Sequence, residues 1–408
     1  MNLRSLTLAA ALAVLGSAPL SAWSAPRITS SIPKDHVISH GTSSHPSAVA
    51  QQAAAPKAPQ SNSIAAALTE TVKNWGIFNK TPLKTPSHIQ ALDAWKIERG
   101  SKKVVVAVID TGVDANHKDL ADNMWSDPKA KGPSQFGWNF VTNKANPMDD
   151  HGHGTHVAGI IGAVADLKNG VSGVAQAVSI MAVKYYSESN SGSVNLKNTV
   201  KAIDYAVEHG AKIINYSGGG PDFSEEEYLA IRRAEAAGVL VVAAAGNERQ
   251  NTDLVQNYYY PSAYRLSNII SVAATDIKND LLKSSNWGKT RVDVAAPGEN
   301  IYSTIPGGKY GFMSGTSQAT AFVSGMAALL LSKDPTLTPV QIKELILSSV
   351  DRIPQLSGKV ATQGRVNAYS ALLALSNRGM IKKAPRSLAQ ETPMALFDSL
   401  ATPPSLGR

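Results

Sequence analysis

Four short segments hold the side chains best suited to chemistry: Asp110 in Ile109-Asp110-Thr111-Gly112-Val113, the run His151-Gly152-His153-Gly154-Thr155-His156, Ala245-Gly246-Asn247, and Gly315-Thr316-Ser317-Gln318-Ala319. The 408 residues include no cysteine, so thiolate nucleophiles, Cys-ligated zinc and iron–sulfur clusters are excluded. Any chemistry uses oxygen and nitrogen. A serine hydroxyl is a weak nucleophile, and it attacks a carbonyl only when a neutral imidazole takes its proton and a carboxylate fixes that imidazole's tautomer. All three residue types are present. Singly, each segment reads as structure: an aspartate after a strand as a turn residue, Ala-Gly-Asn as a turn, Gly-Thr-Ser as a helix cap. The histidines offer a rival chemistry, because His151, His153 and His156 form an H-x-H-x-x-H cluster of a kind that ligates zinc in hydrolases. Thr155 stands where such a site wants a carboxylate, which weighs against zinc.

Positioning these groups is the task of the runs before them. Lys103–Ile109, Ser179–Val183, Lys212–Asn215, Val239–Ala244 and Ile269–Ala273 are continuous Val/Ile/Ala stretches, as strands buried on both faces must be. Asn198–His209, Ser224–Ala237 and Ser317–Leu331 have helical spacing, and Gly210 and Gly238 stand in helix-stop positions. The alternation predicts βαβ units, hence an α/β fold with a doubly wound, mostly parallel sheet flanked by helices. In such folds functional groups gather at the carboxyl ends of the strands. Asp110 and Asn247 each stand just there.

Together the four segments resemble the subtilisin-like serine proteases, over roughly Trp75 to Leu375 and in that family's chain order Asp, His, Ser. The resemblance implies that Ser317 attacks, His153 shuttles the proton and Asp110 orients His153. Ser317 at a helix N-terminus is expected to expose its oxygen and to gain N–H groups and a favourable dipole for the developing oxyanion, with Asn247 adding a side-chain donor. Asn215-Tyr216-Ser217-Gly218-Gly219-Gly220 matches the family segment that pairs with substrate as an added strand, through Ser217, Gly218 and Gly219. Gly218 stands where many relatives carry Leu, which trims a pocket wall. Tyr259 falls near the pocket floor, where relatives often have glycine, so the preferred residue before the scissile bond stays open. A structural calcium ion is also implied: Asp119 matches a family ligand, and the loop from Val164 to Val171, with Asp166 and Asn169, has the length and oxygen donors of a partner loop. Lys118 stands there in place of the common proline.

Two other readings compete. A catalytically dead subtilase fold used for binding would have no need to retain Asp110, His153, Asn247 and Ser317 together. An α/β-hydrolase would need a G-x-S-x-G elbow, which the chain does not contain.

The ends carry the charge and the address. Of the net charge of +8, residues 1–90 contribute seven basic against two acidic side chains and residues 378–408 five against two, whereas the stretch between has 27 of each. A nucleic-acid footprint is therefore missing from the folded part. Arg4, the apolar run Leu6–Leu15 and the small residues near Ala22-Trp23-Ser24 read as a signal peptide over 1–24, with Gly16, Ser17 and Pro19 cutting the run short of a spanning helix. The Ser/Ala/Pro-rich stretch 25–63 reads as a flexible spacer or propeptide segment, 64–377 as the catalytic domain and 378–408 as a loosely ordered tail. The expectation is a secreted monomer, extracellular or periplasmic, with no membrane anchor, acting on protein or peptide substrates.

Overall fold

A computed structural model describes residues 72–80, 83–127, 136–166 and 169–383. The expected signal peptide and spacer lie outside these residues, as does the tail beyond 383. Among the described residues the strands are β1 (Gly100–Asp110), β2 (Gly137–Asn139), β3 (Ala177–Lys184), β4 (Ile213–Tyr216), β5 (Leu240–Ala244), β6 (Ile269–Thr275), β7 (Val294–Pro297), β8 (Ile301–Ile305), β9 (Lys309–Met313), β10 (Asp351–Arg352) and β11 (Gly364–Arg365). The helices are α1 (Ala91–Ala94), α2 (His153–Gly162), α3 (Gly192–Glu208), α4 (Glu225–Ala236), α5 (Thr316–Lys333), α6 (Pro339–Ser348) and α7 (Ala368–Lys383).

Nine strands form one sheet in the order β10-β11-β7-β6-β5-β4-β1-β3-β2, parallel throughout except for the edge pair β10–β11. This is the doubly wound α/β fold that the strand and helix rhythm predicts. Alternation along β1 shows why both faces are apolar: Val104, Val106 and Val108 pack into the core that contains α2 and α5, whereas Ala107 and Ile109 face the one built with α3 and α4. The chain winds away from β1 in both directions, to β3 on one side and β4 on the other. That reversal makes the carboxyl end of β1 a topological switch point, where open α/β sheets bind ligands.

α5 runs beneath the sheet and is buried at every residue from Thr316 to Leu331. From Ala321 to Leu331 the buried side chains are apolar apart from Ser324, and the Ser317, Thr320 and Ser324 hydroxyls are hydrogen-bonded. α4 matches its expected span because Ser224 caps it, accepting from the Glu227 N–H at 3.2 Å, with three glutamates in the first turn. α3 starts six residues earlier than its periodicity predicts. Ser191 is its cap, and the Gly192-Ser193 opening reads as loop until the cap is seen. α7 continues to Lys383, past the expected domain boundary at 377.

The hairpin β8–β9, with Ile301 opposite Met313, was not expected, although Pro306-Gly307-Gly308 is a turn signal between two short runs. It covers α2. Thr304 Oγ1 donates to the Thr155 carbonyl and Ser303 Oγ to the His156 carbonyl, both at 2.8 Å. No helix among the described residues is long and apolar enough to cross a membrane.

Candidate active site

Asp110 is the last residue of β1 and His153 the first of α2. Both are buried, at 3% and 7% exposure. His153 Nδ1 and Asp110 Oδ1 are 2.7 Å apart, and Asp110 Oδ1 also accepts from the Thr111 N–H at 2.8 Å. A carboxylate that only accepts fixes the tautomer: Nδ1 carries the proton and Nε2 is left as the base. Burial opposes a charge on His153. The negative charge of Asp110, their hydrogen bond and the charge of Asp149 outweigh it, so the imidazole titrates above its ordinary 6.5.

Asp149 is a residue that sequence reasoning missed. Its carboxylate accepts from the N–H groups of His151 (3.0 Å), Gly152 (2.9 Å) and Thr155 (2.9 Å) and from the hydroxyls of Thr155 (2.6 Å) and Thr111 (2.9 Å). Burial works against its charge, but these donors prevail and hold it below the usual carboxylate range. The available signal was an aspartate just ahead of an apolar helix, where it caps free N–H groups and complements the helix dipole. Thr111 Oγ1 in turn accepts from the Gly154 N–H at 2.9 Å, so the loop after Asp110 and the start of the His153 helix are locked together. Lys184, one residue beyond the expected end of β3, pairs in register with Asp110. Its buried ammonium donates to the Thr111 carbonyl at 2.6 Å and to Asp150 at 2.7 Å.

Ser317 is the second residue of α5. The residue is 2% exposed, its hydroxyl donates to the Ser217 carbonyl at 3.0 Å, and Ser217 Oγ donates to the Ser317 carbonyl at 3.2 Å. The hydroxyl is thus engaged with Ser217, and no Ser317–His153 hydrogen bond is formed among the described residues. Asn215 ties the same junction, donating to Ser217 Oγ (2.9 Å) and accepting from Ser324 Oγ (2.8 Å). Asn247 follows β5. The Thr316 N–H donates to its Oδ1 at 2.9 Å, and the Thr316 hydroxyl does so at 3.3 Å. An N–H donor settles which end of the amide is oxygen, leaving Nδ2 with no protein acceptor among the described residues. The backbone groups of Gly218 and Gly219 likewise make no hydrogen bond there, whereas Gly220 pairs with Tyr260.

The three histidines do not converge. His151 Nε2 meets Glu188 at 3.2 Å, and His156 Nε2 donates to the Ile301 carbonyl at 2.9 Å. Burial first, and then the neighbouring His153, lower the His156 pKa to about 3, so it is a neutral packing residue. Among the described residues no trio of His, Cys, Asp or Glu side chains is placed to hold a metal ion.

The calcium donors are also engaged with one another. Lys118 donates to Asp166 and, at 3.3 Å, to Asp119 Oδ1, while the Tyr310 hydroxyl donates to Asp119 Oδ2 at 2.5 Å. The Val171 carbonyl accepts from the Asp166 N–H at 2.8 Å, the Asn169 side chain donates to Asp166 at 2.6 Å, and the Val164 N–H donates to the Asp119 carbonyl at 2.8 Å. An ammonium group already stands between the two carboxylates, so this set as arranged does not fit a calcium ion. Lys118 was noticed in the sequence only for the proline it replaces.

The match to known proteins is extensive. Residues 101–371 match the model of the Subtilase family. The chain is 40% identical over 287 residues to thermitase of Thermoactinomyces vulgaris, covering 70% of this chain and 94% of that protein. It is 38% identical over 272 residues to subtilisin DY of Bacillus licheniformis, covering 66% and 92%. Among solved structures, a protease from Pseudoalteromonas arctica PAMC 21717 superposes with a TM-score of 0.62 at 26% identity, over 74% of this chain and 97% of that one. With the parallel sheet, the buried Asp110–His153 pair and a serine at the start of the central helix, these matches make the chain a member of the subtilase family, a subtilisin-like serine endopeptidase.

Proposed function

We propose that this endopeptidase is exported and cleaves extended polypeptide through Asp110, His153 and Ser317, with Asn247 as oxyanion donor. The observation that carries the reading is the 2.7 Å bond from His153 Nδ1 to Asp110, which leaves Nε2 as a free base. Rotation of the Ser317 side chain moves its hydroxyl from the Ser217 carbonyl to His153 Nε2 when substrate arrives; such bonds are often loose before binding. Ser317 Oγ then bonds to the scissile carbonyl carbon as its proton passes to Nε2, and the carbonyl oxygen takes the negative charge. Asn247 Nδ2 and the Ser317 N–H, in the first helical turn, donate to that oxygen. Collapse breaks the C–N bond, His153 protonates the departing amine, and water repeats the sequence on the acyl-enzyme.

The unpaired backbone of Gly218 and Gly219 supports substrate docking as an added strand, which is tolerant of sequence. The leader read from Arg4 to Ser24 supports export. A calcium ion at Asp119 has no part in this reading, because Lys118 supplies the positive charge.

Four outcomes follow. Ser317→Ala should abolish hydrolysis of a denatured protein substrate while the melting temperature holds, and retained hydrolysis would sink the triad. Asn247→Ala should lower kcat by about 10²–10³ with little change in KM, a magnitude taken from subtilisin, itself one of the family. Because His153 must be neutral to act and Asp110 and Asp149 raise its pKa, kcat/KM should fall as pH drops through a single midpoint displaced upward from the ordinary imidazole value; a profile with no acidic limb contradicts the assigned base. Excess chelator should leave the melting temperature unchanged, whereas Lys118→Ala should lower it by about 1–4 °C, as befits a half-exposed ion pair.

A further inference from the structure

We infer that Tyr259 closes the slot that would receive the side chain on the acyl side of the scissile bond, restricting cleavage to positions after small residues such as alanine, glycine and serine. This rests on the protease reading above and concerns which chains that site accepts. In that reading the reacting carbonyl sits at Ser317 with its oxygen toward Asn247, and its backbone pairs with Gly218 and Gly219. The side chain it carries must then enter between two neighbouring strand ends, residues 217–219 after β4 and 245–247 after β5.

That gap holds the Tyr259 ring. A carbon added to Gly219 would lie 2.5 Å from Tyr259 Cε1, and one added to Gly246 would lie 2.9 Å from Tyr259 Cδ2. The ring is therefore wedged against the backbone of both segments, and the residue is 6% exposed. It is also held from behind. The Tyr259 carbonyl accepts from the Ala263 N–H at 2.9 Å and from Ser262 Oγ at 2.8 Å, and the next residue, Tyr260, exchanges backbone bonds of 2.7 and 3.0 Å with Gly220.

The other side is no more open, because the Tyr185 hydroxyl would lie 2.1 Å from a carbon added to Gly218. The wall that a glycine trims is refilled by a tyrosine from β3's end. Close-packed groups with fixed backbones resist insertion of another ring, whereas a methyl or hydroxymethyl group asks for little room.

The test uses the full secreted enzyme and two peptide nitroanilides that differ only in the residue before the scissile bond, alanine or phenylalanine. The parent should favour alanine in kcat/KM by at least about tenfold, the scale on which a pocket discriminates by size. Tyr259→Gly should reverse the ratio, chiefly by a gain on phenylalanine, and Tyr259→Phe should keep the parent's preference. Mass spectrometry of fragments from a denatured protein should show the same bias across many sites. A parent that cleaves after phenylalanine as well as after alanine overturns the inference, whether or not Tyr259→Gly folds. So does a folded Tyr259→Gly with the parent's ratio. Failure to cleave any substrate, with Ser317 unlabelled by a fluorophosphonate, would instead remove the protease reading and this inference with it.

Discussion

Asp110 and His153 are both almost wholly withdrawn from water, so their mutual hydrogen bond must offset the desolvation of two ionisable groups. A bond of that kind has value only if its length is held. The surrounding structure supplies the restraint: β1 is clamped between β3 and β4, Lys184 and Thr111 fix the backbone just after Asp110, and Asp149 gathers four donors from the start of α2 and a fifth from Thr111. The hairpin then closes over α2, taking up two of its carbonyl groups with Ser303 and Thr304. The pair is thus positioned by strands and helix ends rather than by a free loop, which is where tightly set catalytic geometry is best supported.

Ser317 and Asn247 are held in a different way. Their supports run between chain segments far apart in sequence, through Ser217, Asn215, Ser324 and Thr316. Asn247 spends its carbonyl on Thr316, and its amide nitrogen meets no protein acceptor among the described residues. In the proposed mechanism that division fixes the donor's direction before substrate arrives, so no reorganisation is needed as charge develops.

What the sequence made legible was local. Asp110 and Asn247 stand directly after buried runs, Ser317 follows a Gly-Thr opening, and the runs themselves carry the periodicity of a two-faced parallel sheet. Asp149 and Lys184 were not read, because an acidic loop residue and a lysine at a strand's end have no local mark of burial; their meaning appears only when β1, β3 and α2 meet. The calcium expectation came from Asp119 and a loop of suitable length, and what it lacked was the direction of the Lys118 side chain. Gly218 and Tyr259 were each noticed as departures from the family pattern. Their joint effect depends on Tyr185 and on the distance between two strand ends, which no spacing along the chain encodes.

Lys118 also changes the accounting of what holds that corner together. A free ion occupies a site in proportion to its activity in the medium, so a fold that relies on one is softened by dilution or competition. A side-chain ammonium arrives with the polypeptide, at an effective concentration fixed by its own four-carbon stem. In this arrangement the Asp119–Asp166 corner assembles in the same step as the backbone around it, and ionic strength, which screens the pair, is what weakens it.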